Sequence, residues 1–381
     1  VKKVPSMVAV PAVAQDVQTM VQLANEEGWT VSTRGAAHSQ SGQSLSDGGI
    51  LLDMQGLNKI GPIEGDSVWV GGGVVWGDLV EQTLARRLVP PVLTNNLNVT
   101  VGGTVSMAGL GVASHRFGTQ ADNVLELEVV TGVGDLVRCS PDENRELFDC
   151  ARCGLGQFSV ITRAKLKLRP VLSSVRTYYL LYDDLGSLMK DQAHVLRSQK
   201  FDYIEGWCSP CVQGLKTFGE AKVPFAEWFY PVHLTVEHGG TAPSDSILAG
   251  LNFYRHVHTE DVAFPSYVRR LEPVFQMWRE SGSWNMAHPW MEVILPWERA
   301  AEYIQGVLRS FPPNLLIGGH VLLWPCTGST TNTPLFMRPD GDFVMGFGIL
   351  PAVPRHLVKL SLIHISEPTR PVGISRMPSS A

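Results

Sequence analysis

The chain has 381 residues, room for two domains of ordinary size and a substantial core. Apolar residues make up 44% and charged residues 18%, the balance of an ordinary globular protein and not of a disordered or fibrous one. With 31 basic against 36 acidic residues, a net charge of −5 and no long basic run, the sequence lacks the footprint of a nucleic-acid or acidic-membrane binder.

The first predicted element is a short strand in "SMVAVPA", closed by Pro11. In "AQDVQTMVQLANEEG" Val17, Met20, Val21 and Ala24 recur at helical spacing and Gly28 marks the stop. "WTVSTRG" is a strand that runs into a loop of small residues around His38, and "GGILLDMQGLN" is a strand apolar on both faces. "SVWVGGGVVWGDLVEQTLARRL" reads as strand, glycine turn and then helix from Trp76. "NVLELEVVTGVGDLVRCS" holds two strands around the turn Gly132–Asp135. "FSVITRAKLKLRP" sets Ile161, Ala164, Leu166 and Leu168 against Arg163, Lys165, Lys167 and Arg169, a half-buried strand ending at Pro170. Beyond Pro170 aromatic residues become frequent and the elements longer, which places a domain boundary at 172.

Membrane and metal chemistry find little support. The most apolar run, "NLLIGGHVLLW", is too short to span a bilayer and contains His320. No signal peptide opens the chain, but it begins at Val1, so the N-terminus reads as cut; this favours a cytoplasmic location and leaves secretion open. Cys150/Cys153 and Cys208/Cys211 form two C-x-x-C pairs too far apart for the usual zinc spacing, and disulfides stay open. His256 and His258 alternate without a third ligand. Asn98-Val99-Thr100 matches a glycosylation sequon that abuts a glycine turn, so it is discounted. No metal is expected. From Leu360 the chain reads "LSLIHISEPTRPVGISRMPSSA", without periodicity and similar to a translated sequencing adapter, so residues 360–381 are expected to be non-native.

Three glycine-rich turns follow strands: "RGAAHS", Gly71–Gly73 and "TVGGT" at Thr100–Thr104. Each can present backbone N–H groups to an anion, and together they suggest a diphosphate site without the G-x-G-x-x-G start. The order is more specific. "RGAAHSQSGQ", then "TVGGTVSMAGLGVASHRFGTQADNVLELEVVTGVGDLV", then "GLGQFSVITRAKLKLRP" resemble the PCMH-type flavin domain of the FAD-linked oxidases related to vanillyl-alcohol oxidase. Within that group the chain looks most like the cytokinin dehydrogenases, whose substrate domain "FDYIEGW" and "AHPWMEVILP" resemble.

The resemblance implies a two-domain α+β protein: an FAD-binding domain over 1–172 and an α+β cap with an antiparallel sheet over 173–359. It implies that His38 carries FAD through a covalent bond to the flavin 8α carbon; a neutral imidazole is a nucleophile near pH 7. Arg34, Gly35, Ala36, Ala37 and Ser39 would wrap the pyrophosphate, with Ala37 standing where the family has glycine. Gln43 would reach the cofactor. Thr100, Gly102, Gly103, Thr104, Ser106 and Leu110 would line the flavin and its phosphates, and Val160 and Ile161 the adenine side. The family's substrate-binding aspartate is Asn95 here, an amide that cannot act as a base near pH 7.

Strand alternation in "FDYIEGWC" puts Phe201, Tyr203, Glu205 and Trp207 on one face, where burial should raise the pKa of Glu205 and suit it to accept a proton or anchor a ligand. Trp290 would wall a flat substrate, and Glu292 stands where the family tends to have asparagine. The expected reaction is hydride transfer from a carbon beside nitrogen to flavin N5, with a small-molecule substrate and reoxidation by oxygen or another electron acceptor. The alternatives are oxidation of an alcohol or sugar, which Asn95 favours, and a catalytically incomplete flavin-binding fragment, because the family's return from cap to flavin domain is not found in this chain.

Overall fold

In the computed structural model, which describes residues 3–39, 42–218, 220–311, 313–316 and 319–355, β1 (Met7–Ala9) leads into α1 (Ala14–Glu27), β2 (Val31–Arg34) and β3 (Ile50–Asp53). The tail expected to be non-native lies outside these residues. Val17, Val21 and Ala24 of α1 are buried against Ile50, Leu52 and Val130. Gly28 ends the helix at φ 66°, and its N–H returns to the Ala24 carbonyl, a conformation without penalty for a residue lacking Cβ. The strands pair in parallel in the order β1-β3-β2. The strand read through to Asn58 stops early, because Met54–Gly56 wind into a 3-10 turn when Asp53 accepts from the Gln55 N–H.

The chain continues through β4 (Ile60–Glu64), β5 (Ser67–Gly71), α2 (Trp76–Leu84), β6 (Leu88–Val89), α3 (Val101–Met107), α4 (Ser114–Phe117), β7 (Val124–Thr131), β8 (Leu136–Cys139), α5 (Arg145–Ala151), β9 (Ser159–Lys167) and β10 (Arg169–Pro170). Five of these strands form a sheet in the order β4-β5-β9-β7-β8. The apolar alternation of β9 skips one position between Ile161 and Ala164. A bulge causes it: Arg163 pairs with Glu128, Ile161 with Val129, and the buried Thr162 between them hydrogen-bonds the Glu128 carbonyl at 2.9 Å. The strand read through to Pro170 ends at Lys167, and Arg169–Pro170 pair antiparallel with β6 in a sheet of their own.

The third sheet uses β11 (Ser174–Tyr182), β12 (Tyr203–Phe218), β13 (Ala221–His238), β14 (Arg255–Ala263), β15 (Met291–Pro296), β16 (His320–Thr327) and β17 (Phe343–Leu350). Their order is β14-β11-β13-β12-β16-β17-β15, with every pairing antiparallel. The helices among them are α6 (Leu185–Ser198), α7 (Phe264–Val268), α8 (Glu272–Glu280) and α9 (Trp297–Ser310). Leu188 and Leu196 of α6 and Ile304 and Val307 of α9 share a core with Leu180, Val232, Leu323 and Phe347, so these helices cover one face of the sheet. The opposite face supplies Val175, Tyr203, Trp324 and Val344 to a core shared with Val68, Trp76, Leu127 and Leu166 of the preceding region. The fold is α+β, and this second face of the sheet also carries Glu205 and Trp207, two residues on from Tyr203 in turn.

All six cysteines are free, with Cys139, Cys208 and Cys326 buried and Cys211 exposed. His256 hydrogen-bonds the Thr259 hydroxyl at 2.8 Å, and among the described residues no three His, Cys, Asp or Glu side chains are grouped to hold a metal. Among the described residues no helix is long and apolar enough to cross a membrane.

Candidate active site

β2 delivers the loop that carries His38. Arg34 at its end donates from Nε to the Ser44 carbonyl at 3.1 Å, and Ser39 donates to the Ser44 hydroxyl at 3.2 Å, so the loop is tied to its own return. Gly35 presses on Thr100: a Cβ there would lie 2.0 Å from the Thr100 Oγ1. Ala37 takes φ 58°, the left-handed region. His38 is solvent-accessible. Its ring meets Trp284 edge-on at 5.9 Å, and its Nε2 lies 3.5 Å from the Asn96 Nδ2. Partial desolvation by its neighbours, then the charges of Arg279 and His288, hold its pKa below the usual histidine value. The imidazole is therefore neutral near pH 7, the form that can act as a nucleophile.

Ala37 also yields a stability prediction. An L-residue in the left-handed region is strained by about 1–2 kcal/mol, part of which glycine gives back through its freer unfolded chain. Ala37→Gly is expected to stabilise the fold by about 0.5–1 kcal/mol, read by urea unfolding. A loss of stability would mean that Cβ packing outweighs the strain.

Two of the three glycine turns differ from expectation. The N–H groups of Gly71, Gly72 and Gly73 donate to the carbonyls of Lys59, Thr162 and Leu57, so this turn has none left for an anion. Its glycines serve close packing instead: a Cβ on Gly73 would lie 1.9 Å from the Met54 carbonyl oxygen. The "TVGGT" segment is not a turn but the start of α3, where Gly102 donates to the Gly72 carbonyl at 2.8 Å. The hydroxyls there are engaged too: Thr104 accepts from the Trp76 Nε1 at 2.8 Å, and Ser106 donates to the Gly102 carbonyl at 2.8 Å. Leu110, Val160 and Ile161 pack against the hydrophobic cores.

The His38 loop keeps more capacity. Among the described residues no backbone partner meets the N–H groups of Ala36 and Ala37, and the buried Oε1 of Gln43 has no hydrogen-bond partner. A diphosphate takes donors of the first kind, an amide-bearing ring a free acceptor of the second, and the same loop carries the neutral imidazole of His38. These residues fit FAD.

Across the sheet, β12 aims Glu205 and Trp207 at this region. Phe201 does not share their face: it precedes β12 and packs edge-on to Tyr178 at 6.4 Å in the core under α6. Glu205 is held by two partners. Asn95 Nδ2 donates to its Oε1 at 2.5 Å, and Arg270 Nη2 donates to its Oε2 at 2.9 Å. Arg270 also donates to the Asn95 Oδ1 at 2.8 Å and stacks over Tyr267 at 4.7 Å. The polarity leaves one orientation for the amide, since arginine only donates and a carboxylate only accepts. The expected rise in the Glu205 pKa is overturned. Burial does push it up, but the Arg270 charge and the hydrogen bonds from Arg270 and Asn95 outweigh burial, and Glu205 stays below its ordinary value.

Beside Glu205, in cross-strand register, His233 sits between Tyr179 at 4.2 Å and Trp207 at 4.5 Å. Burial lowers its pKa to about 4, so it is neutral. A recess of about 390 Å³ opens next to Trp207, lined also by Pro210, Leu316 and His320. His320 stacks on Trp278 of α8 at 5.7 Å. Trp290 stands apart from the Glu205 cluster; it donates from Nε1 to the Pro351 carbonyl at 3.2 Å and meets His288 edge-on. Glu292 lies on β15 opposite Gly348 with one side open to solvent, and partial desolvation against the sheet raises its pKa.

The structure thus joins Asn95 to Glu205 and seats Gly35 against Thr100. Arg270, Trp284 and His233 carry no sequence signal that singles them out.

A family model described as FAD binding domain matches residues 5–140. Another, described as Cytokinin dehydrogenase 1, FAD and cytokinin binding, matches residues 241–366. An uncharacterized oxidoreductase, ORF5 in the fasciation locus of Rhodococcoides fascians, is 33% identical over 347 residues, covering 91% of this chain and 77% of its own. Cytokinin dehydrogenase 7 of Oryza sativa subsp. japonica is 30% identical over 383 residues, covering 91% of this chain and 73% of its own. Among solved structures, 6-hydroxy-D-nicotine oxidase from Arthrobacter nicotinovorans superposes with a TM-score of 0.66 at 24% identity, over 94% of this chain and 78% of its own. At that identity the likeness speaks to the fold.

Proposed function

We propose that this chain, which belongs to the cytokinin dehydrogenase family of FAD-dependent oxidoreductases, oxidises the C–N bond of a small amine substrate bound between the His38 loop and the Glu205 face of the sheet. Residues 1–172 hold FAD, attached covalently through His38, and residues 173–359 cover the flavin and select the substrate. The observation that carries the reading is the buried Asn95–Glu205–Arg270 cluster on the sheet face turned toward the FAD-binding region.

FAD, when bound, supplies the hydride acceptor at flavin N5. The protein handles the proton. As a hydride leaves the carbon, the adjacent nitrogen becomes cationic and its N–H acidic. Glu205, kept ionised, takes that proton, and the substrate becomes an imine. Asn95 is not a base; with Arg270 it fixes the carboxylate. The weak basicity of Glu205 suits this order of events. An alcohol would need a stronger base to take its hydroxyl proton, so the amine reading is preferred even though Asn95 replaces the family's aspartate.

Anaerobic mixing of the purified protein with N6-isopentenyladenine is expected to bleach the flavin's visible band, while polyols leave it unchanged. The tryptic peptide holding His38 is expected to carry the mass of FAD. Bleaching by polyols alone would replace the amine reading with the alcohol one. An unmodified peptide from yellow protein would remove the covalent link and leave the reaction standing.

A further inference from the structure

The floor of the cleft has a second carboxyl that the reaction above does not use. Trp207 pairs with Leu322, Leu322 with Gly348, and Gly348 with Glu292, so the four residues form one row across β12, β16, β17 and β15. Strand spacing puts the ends of the row about 14 Å apart at the backbone. Gly346 and Gly348 leave this part of the surface without side chains, and Glu292 leans into the gap: a Cβ on Gly348 would lie 3.2 Å from the Glu292 Cγ. The row therefore runs from an indole beside the recess, over the Leu322 side chain and the bare Gly348, to a carboxyl.

The arginines of the site are already matched. Arg270 is engaged by Glu205 and Asn95, and Arg279 pairs with Glu272 at 3.5 Å. Among the described residues no basic side chain comes within ion-pair distance of Glu292. Glu205 and Glu292 thus differ in kind: one is paired within the protein, the other faces solvent without a protein counter-ion. The carboxyl is open to solvent on one side, and the desolvation it meets on the other raises its pKa with no partner opposing it. A cation placed against it would offset that desolvation cost.

We propose that Glu292 is a specificity-determining residue that binds a protonated nitrogen group, of amidinium type, on a flat ring laid along the Trp207–Gly348 row. The amidinium edge offers two N–H donors to the two carboxylate oxygens. The ring lies over Leu322 and Gly348, where a side chain at 348 would block it. The inference rests on reading this sheet face as the substrate floor, and it concerns recognition, not the chemical step.

Benzamidine and benzamide are flat, similar in shape and differ in charge, and neither is a substrate. Calorimetric titration of the FAD-loaded protein at mildly alkaline pH is expected to show benzamidine binding at least about tenfold tighter than benzamide. Glu292→Gln is expected to bring the two within about threefold while the protein stays folded and yellow. Glu292→Asp should keep part of the preference. Equal binding of the two probes to the wild type, binding of neither, or a preference that survives in Glu292→Gln would overturn the proposal. The readout does not depend on turnover: absence of flavin bleaching by any amine would sink the amine-oxidation reading and leave this one to the titration.

Discussion

Arg270→Met is expected to lower the unfolding free energy by about 3–5 kcal/mol near neutral pH, the usual cost of stripping a buried carboxylate of its counter-ion. Glu205 is 9% exposed as a side chain and Arg270 22%, so solvent screens neither well. In the folded protein the Glu205 carboxyl is held below its ordinary value, so its contribution is present above the unfolded pKa and is lost as pH falls through the folded one. Without Arg270, little more than the Asn95 hydrogen bond still opposes burial, and the carboxyl is pushed up. The variant then carries an uncompensated buried anion near pH 7, and the penalty is relieved as Glu205 takes a proton at lower pH. The deficit should therefore be largest at about pH 7 and smaller at about pH 5, measured by urea unfolding at each. Arg270→Lys, which keeps the charge but not the two-way donation, should fall between. A deficit under about 1 kcal/mol, or one that does not change with pH, would show that Arg270 is not the counter-ion of Glu205.

Much of the fold is legible locally. Val17, Val21 and Ala24 mark a helix, and Gly28 stops it, because both signals act within a turn or two of the backbone. The alternation in β9 is equally local, and its skipped beat between Ile161 and Ala164 marks a bulge that only the partner strand explains. What could not be read depends on partners far along the chain. Gly71–Gly73 look like a nest for an anion until the carbonyls of Lys59, Leu57 and Thr162 occupy their N–H groups. Burial alone would raise the Glu205 pKa; the direction reverses because of Arg270, 65 residues away, and Asn95, 110 residues away. Arg270 itself sits in "YVRRLE" and reads as a solvated charge, which Arg269, half exposed beside Glu81, indeed is. Nothing in the sequence distinguishes the two arginines; the turn after α7 does, setting Arg269 beside Glu81 and Arg270 beside Glu205.

Glu205→Gln is expected to slow flavin reduction by about 10²–10⁴-fold, the range for loss of a positioned proton acceptor. The change does more than remove a charge. Glu205 now accepts on both oxygens, from Asn95 Nδ2 and Arg270 Nη2. A glutamine keeps one acceptor and turns the other into a donor. If its oxygen serves Arg270, its nitrogen faces the Asn95 nitrogen, and Asn95 cannot turn over because its own oxygen serves Arg270. The single variant is thus frustrated as well as neutral, and some of its loss will be structural. Combining it with Asn95→Asp separates the two effects. In that pair the carboxylate moves across the hydrogen bond. The introduced aspartate accepts from the introduced glutamine and from Arg270, while the glutamine oxygen accepts from Arg270, so every donor again meets an acceptor. Stability should return to within about 1 kcal/mol of the starting protein. The rate should recover in part, because a carboxylate again borders the cleft, now at the position where the family carries its aspartate. A single Glu205→Gln variant that reduces its flavin within about threefold of the parent rate would remove Glu205 as proton acceptor. Restored stability with no recovery of rate would instead place the proton at Glu205 alone, and with it the geometry that an amide at Asn95 has come to support.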